Sequence, residues 1–543
     1  MEKFRIKQIS SLEKVLLTDK YEDKKEFNSF SALWGEKFSY QIMYKSNDAD
    51  KQHGEFSFES PIKEFIKVYY VQNVPCGRLT HPVQNDNDYI SHAPGLYPDA
   101  LIPIEEGELI FPSESQSLWV QVDVSKKIKA GTYPITFNLS YHEEAHSVTF
   151  NLEVIPVELP EQKTFFTQWF HGDCIADFHG VKVFSQKHWK LLEQYIKTAV
   201  ECGINMILTP VITPPLDVAI GGERTTIQLV DVFVNKGKYS FDFSKLGKWV
   251  KMCRKCGIKY FEMSHMFSQW GAKCSPKIMA TVDGEYKRIF GWDIASDSKE
   301  YAEFLDAFLP ELSAYIEEIG IKDITYFHTS DEPNEEHIEG YKKASSLLRK
   351  HIKGYKFMDA ASHFEYRNLM DIPVVCINDM QKFIDNKVSH AWVYTCCCPA
   401  YTYPNRFIGM PSGRNRIMGT LMYKYKIPGY LHWGYNFYNS QLSKKHINPY
   451  VFTDSEYAFP AGDPFSVYPY KDGAIHSIRS RVFYDGLQDI RTFQLLEKAM
   501  SHDEVVNMIE KYGTITLDEY SKDYDILLKI KQDAHKIIKE KLL

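Results

Sequence analysis

No unbroken apolar run in this 543-residue chain approaches the length needed to span a bilayer, which argues against a transmembrane helix. The first residues, Met1-Glu2-Lys3-Phe4-Arg5-Ile6-Lys7, are charged throughout and lack the apolar core of a signal peptide, so a cytoplasmic location is the expectation. A basic face is missing too. Lys and Arg number 64 against 71 Asp and Glu, the net charge is −7, and both signs are mixed, so neither nucleic acid nor an anionic membrane is the expected partner. The ten cysteines lack the spacing of a disulfide framework: Cys202, Cys376 and the run Cys396-Cys397-Cys398 sit in apolar segments like small core residues. Cys253 and Cys256 form one C-x-x-C, but no second pair completes a four-ligand zinc site. No metal and no cofactor are expected, and the sequence leaves the oligomeric state open.

What is present is a large core, with 44% hydrophobic and 14% aromatic residues in a chain too long for one typical domain. Residues 1 to about 160 alternate apolar and polar positions, as in Leu118-Trp119-Val120-Gln121-Val122 and Ser147-Val148-Thr149-Phe150-Asn151-Leu152, between Gly, Pro and Lys turns. That pattern predicts a β-sandwich. From 161 to about 500 short apolar strands alternate with amphipathic helices. Strands are predicted to begin near Phe165, Asn205, Lys259, Ile324, Lys356, Pro373, His390 and Gly429, with helices such as His188 to Cys202, Ser298 to Ile319, Ser412 to Lys426 and Arg479 to Met500 between and after them. Eight repeats of strand and helix predict a (β/α)8 TIM barrel, giving a multidomain β plus α/β protein. Thr225 to Phe243 resembles a hairpin and Gln269 to Asp297 a long aromatic-bearing loop, both expected to wall the mouth. Residues 501–543 are expected to form a helical tail packed on the barrel.

The most informative segment is Ile324-Thr325-Tyr326-Phe327-His328-Thr329-Ser330-Asp331-Glu332-Pro333, an apolar strand that ends on two adjacent carboxylates and a proline. In a TIM barrel the C-terminal strand ends form the adaptable face on which reactive groups cluster. The other strand ends are expected to deliver His171, Asp173, His265, His328, His363, Trp392, Tyr394, Trp433, Tyr435 and Asn436. Aromatic faces that stack on the C–H faces of a ring, beside neutral donors and acceptors, suit a carbohydrate. The histidines could also hold a metal, but they come from strands spread around the barrel, without close i, i+4 pairing.

One further absence bears on mechanism. From Asn386 to Thr453, across the seventh and eighth strands and their loops, there is no Asp or Glu. Retaining hydrolysis by two protein carboxylates needs them about 5 Å apart and flanking the bond, which adjacent residues do not readily achieve. A 2-acetamido sugar removes the difficulty, because its own amide oxygen can attack the anomeric carbon to give an oxazoline. Asp331 would then orient the acetamide, and Glu332 would act as general acid and afterwards as general base. Tyr394 is a further candidate to hold the acetamide oxygen.

Ser330-Asp331-Glu332-Pro333, Trp392-x-Tyr394, Pro404-Asn405, Arg416 and Gly429-Tyr430-Leu431-His432-Trp433-Gly434-Tyr435-Asn436 together resemble glycoside hydrolase family 123 and the related domain of unknown function 4091. Pro98-Asp99-Ala100-Leu101 also resembles a segment of such proteins. The resemblance implies a β-sandwich plus TIM barrel and exo-β-N-acetylgalactosaminidase activity on a glycan or glycoconjugate, with Asp331 and Glu332 as the catalytic pair. It places Arg416 in the substrate-binding set, and the preference for GalNAc over GlcNAc rests on it alone. The alternatives are a glycosidase of another specificity with Glu332 as acid/base and a second carboxylate such as Glu262, Asp359 or Asp379, or a non-catalytic carbohydrate-binding protein.

Overall fold

The computed structural model describes residues 3–47, 52–141 and 143–543; Met1 and Glu2 of the charged opening segment lie outside these. The N-terminal part is a sandwich of two five-stranded sheets. In one, Lys37–Ser46, Gln116–Asp123 and Ile66–Cys76 are the inner strands; in the other, Gly131–Tyr141 is central between Glu144–Glu158 and Gln52–Glu59. Strand Gln116–Asp123 is buried on both faces, unlike the one-sided burial its alternation suggests. Leu118, Val120 and Val122 join the sandwich core, while Trp119, on the opposite face, packs into the core shared with the barrel.

Eight parallel strands then close into a barrel: β1 (Phe165–Gln168), β2 (Met206–Thr209), β3 (Tyr260–Met263), β4 (Thr325–Phe327), β5 (Lys356–Ala360), β6 (Ile372–Cys376), β7 (Trp392–Tyr394) and β8 (Gly429–His432). Closure is made by β8 against β1, with Phe165 opposite Gly429. Each strand starts within two residues of its predicted position. The interior is packed by alternate inward side chains, among them Met206, Leu208, Tyr326, Met358, Val374, Trp392 and Leu431. The outer ring contains α1 (Gln186–Glu201), α2 (Ser244–Cys256), α3 (Lys299–Glu318), α4 (Ile338–His351), α5 (Met380–Asp385), α6 (Ser412–Lys424) and α7 (Ile478–Leu496).

The stretch Gln269 to Asp297, expected as a loop, contains a hairpin, Ile278–Val282 against Glu285–Phe290. It pairs with the hairpin Asp231–Asn235/Lys238–Asp242 to make a four-stranded sheet. The Asp283-Gly284 dipeptide, with φ of 48° and 94°, is the tight-turn signal that marks it.

Buried ion pairs weld the sandwich to the barrel. Arg479, near the start of α7, donates through Nε and Nη2 to Asp99 at 2.9 Å each, and Tyr468 donates to the same carboxylate at 2.6 Å. A second cluster joins Arg416 of α6 to Asp489 of α7 at 2.7 and 3.0 Å, and Lys531 bridges Asp489 to Glu36 of the sandwich. Lys531 belongs to the C-terminal helix Asp525–Leu542, which packs against both α7 and the sandwich strand Ser29–Trp34.

Removing one partner of such a pair strands a buried charge, whereas replacing both by apolar residues does not. Asp99→Ala should therefore cost on the order of 3–5 kcal/mol in denaturant unfolding. The double variant Asp99→Leu/Arg479→Met should recover most of that loss.

Candidate active site

At the C-terminal end of the barrel lies a cavity of about 250 Å³. Its floor is Trp169, just past β1, and Leu431 of β8; Asp331 and Glu332 after β4 form one wall, with Tyr394 of β7 beside them. The remaining surface comes from loops, notably Asp217 after β2, Gln269 and Trp270 after β3, and Trp433, Leu442 and Phe459 after β8. Four lining residues, Asp217, Trp270, Glu332 and Leu442, have left-handed backbones, with φ of 43°, 56°, 41° and 60°. Side chains with a Cβ occupy that region at a cost, and such residues concentrate where a side chain must be aimed.

The aim of the acid pair is set from beneath. His328 is fully buried between two carboxylates, with Nε2 2.9 Å from Glu262 and Nδ1 3.2 Å from Asp359. Asp359 also accepts the Thr329 backbone N–H through both oxygens at 3.0 Å, and a hydroxyl from Tyr341 of α4. Glu262 accepts from the Thr167 hydroxyl and from Trp169 Nε1 at 3.3 Å. Burial works against the imidazolium, but the hydrogen bonds to Asp359 and Glu262 outweigh it and hold His328 at about 9. Above this platform Ser330 donates to the Ser268 carbonyl at 2.8 Å, and Trp270 N–H donates to the Asp331 carbonyl at 2.9 Å. The loops after β3 and β4 are thereby clasped together.

Asp331 is half-buried, and Glu332 exposes its side chain to the recessed cavity. Burial pushes the Asp331 carboxyl well above the ordinary carboxylate range, and the charge of Glu332 pushes it further. Burial also raises Glu332, opposed by Tyr394, whose hydroxyl donates to Glu332 Oε1 at 2.8 Å. Two carboxyls this close retain a proton between them at pH values where isolated ones are ionised.

Of the other candidate site residues, only Tyr394 and Trp433 line the cavity; Cys396 and Cys397, expected as core residues, line it as well. Trp392 does not: it points into the barrel like Tyr394 but one layer lower, stacked on Phe165 with centroids 4.8 Å apart. Tyr435 turns outward, stacking on Phe170 and donating to the Tyr195 carbonyl at 2.9 Å, because β8 ends at His432 and alternation no longer holds. Arg416 is committed to Asp489, away from the cavity. His171, Asp173 and Asn436 form a support behind the wall. Asp173 pairs with Arg224 at 2.8 and 2.9 Å, His171 Nδ1 accepts from Arg224 at 3.0 Å, and Nε2 donates to the Trp433 carbonyl at 2.9 Å. Burial, followed by the Arg224 charge, lowers His171 to about 3, so the ring is neutral. Asn436 brackets the His171 backbone with two hydrogen bonds, at 2.9 and 3.0 Å. His265 lies buried against His328, and His363 precedes the short turn Phe364–Asn368. Gln269 and Trp270 belong to the loop expected to wall the mouth, whereas sequence reasoning missed Trp169, Asp217, Leu442 and Phe459. Trp169 follows a strand and could have been found; the others lie on irregular loops that carry no periodic signal.

Among the described residues, His265, His328 and Asp359 come close enough to share an ion. They fit one poorly. The two rings stack at 4.2 Å and 22°, so their in-plane lone pairs cannot converge, and both nitrogens of His328 are held by carboxylates.

A family model described as "Glycoside hydrolase 123, catalytic domain" matches residues 169–496. Among solved structures, a family 123 glycoside hydrolase from Clostridium perfringens, studied for glycolipid glycan hydrolysis, superposes with a TM-score of 0.77 at 17% identity, covering 99% of each chain. A family 2 β-galacturonidase from Eisenbergiella tayi gives 0.32 at 9% identity over 83% of this chain and 69% of its own. An endo-β-1,4-mannanase from Thermotoga petrophila gives 0.34 at 11% over 61% and 78%. No curated protein sequence matches the chain.

The platform yields a pH signature. His328 at about 9 lies above the ordinary histidine value of 6.5, so its contribution to stability is complete below 6.5 and is lost as pH rises through 9. Unfolding free energy of the wild type should fall by on the order of 3 kcal/mol across that window, relative to His328→Gln. Parallel stability curves for the two proteins would refute the ion triad.

Proposed function

The chain belongs to glycoside hydrolase family 123, and from that premise we propose that it is an exo-acting, retaining enzyme that removes terminal β-linked N-acetylgalactosamine with the sugar's own acetamide as nucleophile. The observation that carries this reading is the placement of both acids at one strand exit, on the same side of the cavity. Glu262 and Asp359, which might have served as a second carboxylate, are fully buried and spent on His328, and Asp379 lies outside the cavity at the start of α5. With no protein carboxylate to spare on the wall of β7 and β8, a nucleophile carried by the substrate fits.

In the proposed reaction Asp331 accepts the acetamide N–H and Glu332 protonates the departing oxygen. An N–H donated to Asp331 favours its ionised form, which leaves the shared proton to Glu332, the group that must give it up. After departure the Glu332 carboxylate deprotonates the water that opens the oxazolinium. Tyr394 moves with this cycle. It donates to Glu332, and its hydroxyl becomes free for the acetamide oxygen once Glu332 carries the proton. A cavity of about 250 Å³ lies below the ~300–1,000 Å³ of pockets for drug-sized ligands, which suits a single terminal sugar.

One observation favours a second reading. Asp217 also lines the cavity, and as a base it could activate water for a single displacement. That reaction inverts the anomeric centre, so the anomer first formed, followed by NMR, separates the two.

Aryl β-N-acetylgalactosaminides should be cleaved with retention and GalNAc-thiazoline should inhibit. Turnover of the 2-hydroxy galactoside at an equal rate would sink the substrate-assisted mechanism. The basic limb of kcat/KM should lie above the ordinary glutamate range, since the burial that raises Glu332 keeps the acid protonated to higher pH.

The two acids should also fail differently. Glu332→Gln should be most damaging for poor leaving groups and least for activated aryl glycosides, whereas Asp331→Asn should slow both by ~10²-fold or more. The opposite pattern would exchange their roles.

A further inference from the structure

The cavity wall also holds an acceptor that the reaction above does not use. Asp217 sits in the loop after β2 and is held there by the loop after β8, two strands away around the ring. Its Oδ2 accepts the Leu442 N–H at 3.0 Å, and its backbone carbonyl accepts the Ser443 hydroxyl at 2.7 Å. Among the described residues none donates to its second oxygen, Oδ1, and burial pushes the carboxyl up to about 6. Gln269 lines the same cavity; its Nε2 donates to the Val218 carbonyl at 2.9 Å, which fixes the amide's orientation. Its Oε1 is buried and has no partner among the described residues, so Gln269 fixes the Asp217 loop from behind and does not itself meet a ligand. Asp217 Oδ1 is left as an unmet acceptor in a desolvated wall, and a hydroxyl supplied by a ligand removes the cost of that.

The barrel's strand order says which hydroxyls these are. Leu442 follows β8, which stands opposite β4 in an eight-strand ring, so the Asp217–Leu442 clasp faces the exit that bears Asp331 and Glu332. A pyranose that presents C1 and its 2-acetamido group to those acids turns the opposite corner, C4, toward the clasp. Resting on the preceding reading of an N-acetylhexosaminidase, we propose that Asp217, supported by Gln269, is the specificity-determining acceptor for the hydroxyls of that far edge, O4 first and O6 beside it. The left-handed backbones of Asp217 and Leu442 are what bring a carboxylate and a peptide N–H together at this place. A site built to accept a substrate hydroxyl rejects the analogue that lacks it far more strongly than an apolar pocket rejects a missing methylene.

The test is a cycle of two enzymes and three substrates. Wild type and Asp217→Ala are compared on the aryl β-GalNAc and on its 4-deoxy and 6-deoxy analogues, with Asp217→Asn, which can still accept from Leu442, as the fold-preserving variant. Wild type should lose ~10²-fold or more in kcat/KM on at least one deoxy analogue. Asp217→Ala should lose as much on the parent sugar and little more on the analogue, so that discrimination collapses. Equal losses on parent and both analogues, with discrimination intact, would overturn the assignment. So would an inverted product anomer in the wild type, which would make Asp217 the base. If the wild type hydrolyses no β-N-acetylhexosaminide, the preceding reading fails and this one with it, an outcome distinct from hydrolysis without coupling.

Discussion

Glu262, His328 and Asp359 form a buried line of charge from β3 through β4 to β5, and the geometry of the cavity depends on it. A cation between two carboxylates carries one net negative charge into the barrel, which is tolerable only because nearly every remaining lone pair is met: Thr167 and Trp169 on one side, Thr329 N–H and Tyr341 on the other. Because Thr329 is tied by its backbone, the chain leaves β4 at a set angle, and the next residues, Ser330 and Asp331, are clasped to the β3 loop. Trp169, the floor, is oriented by the same Glu262. One ionic unit thus sets both the base of the cavity and the direction of its acids.

The sandwich reaches the same cavity by a longer route. Arg479, paired with Asp99, also donates to the Gly462 carbonyl at 2.6 Å, and the next residue, Asp463, accepts from Trp433 Nε1 at 3.0 Å. Arg78, just past the sandwich strand Ile66–Cys76, accepts the Ala461 N–H at 2.6 Å through its carbonyl, and its own N–H donates to Asp454 at 2.9 Å. The loop between these anchors carries Phe459. The N-terminal sheets therefore act as a brace for the long segment after β8, whose only strands among the described residues, Val467–Tyr470 and Gly473–His476, come after Trp433 and Phe459.

How much of this was legible in the sequence follows the physics of each signal. The barrel strands were readable because each is a short apolar run bounded by polar turns, and the acid pair because a strand exit with Asp-Glu-Pro is chemically conspicuous. The reading failed where periodicity was carried past its domain. Trp392 shares the parity of Tyr394 yet lies a layer below it, and Tyr435 shares that of Trp433, but the strand has already ended. Arg416 was conspicuous as a motif residue, yet its guanidinium is spent on Asp489, a partner more than seventy positions away that no local pattern reveals. Asp99 was noticed without a reason, and the Arg479 pair supplies one. Asp217 carried no signal at all, because an irregular loop acquires meaning only through the partners it meets.

The left-handed backbones around the cavity bear on any attempt to make this protein more heat-tolerant. At Asp217, Trp270, Glu332 and Leu442 glycine would be the conformationally preferred residue, and a stability-guided search scoring backbone energy alone would rank those substitutions highly. Each would delete a side chain from the cavity wall. Thermal tolerance is better sought elsewhere, for instance at the exposed, left-handed Lys236 and Lys387, where glycine removes nothing from the site. The four cavity positions are where this fold has given up conformational ease to keep side chains on the cavity wall, and a glycine scan over them would empty the pocket of its chemistry.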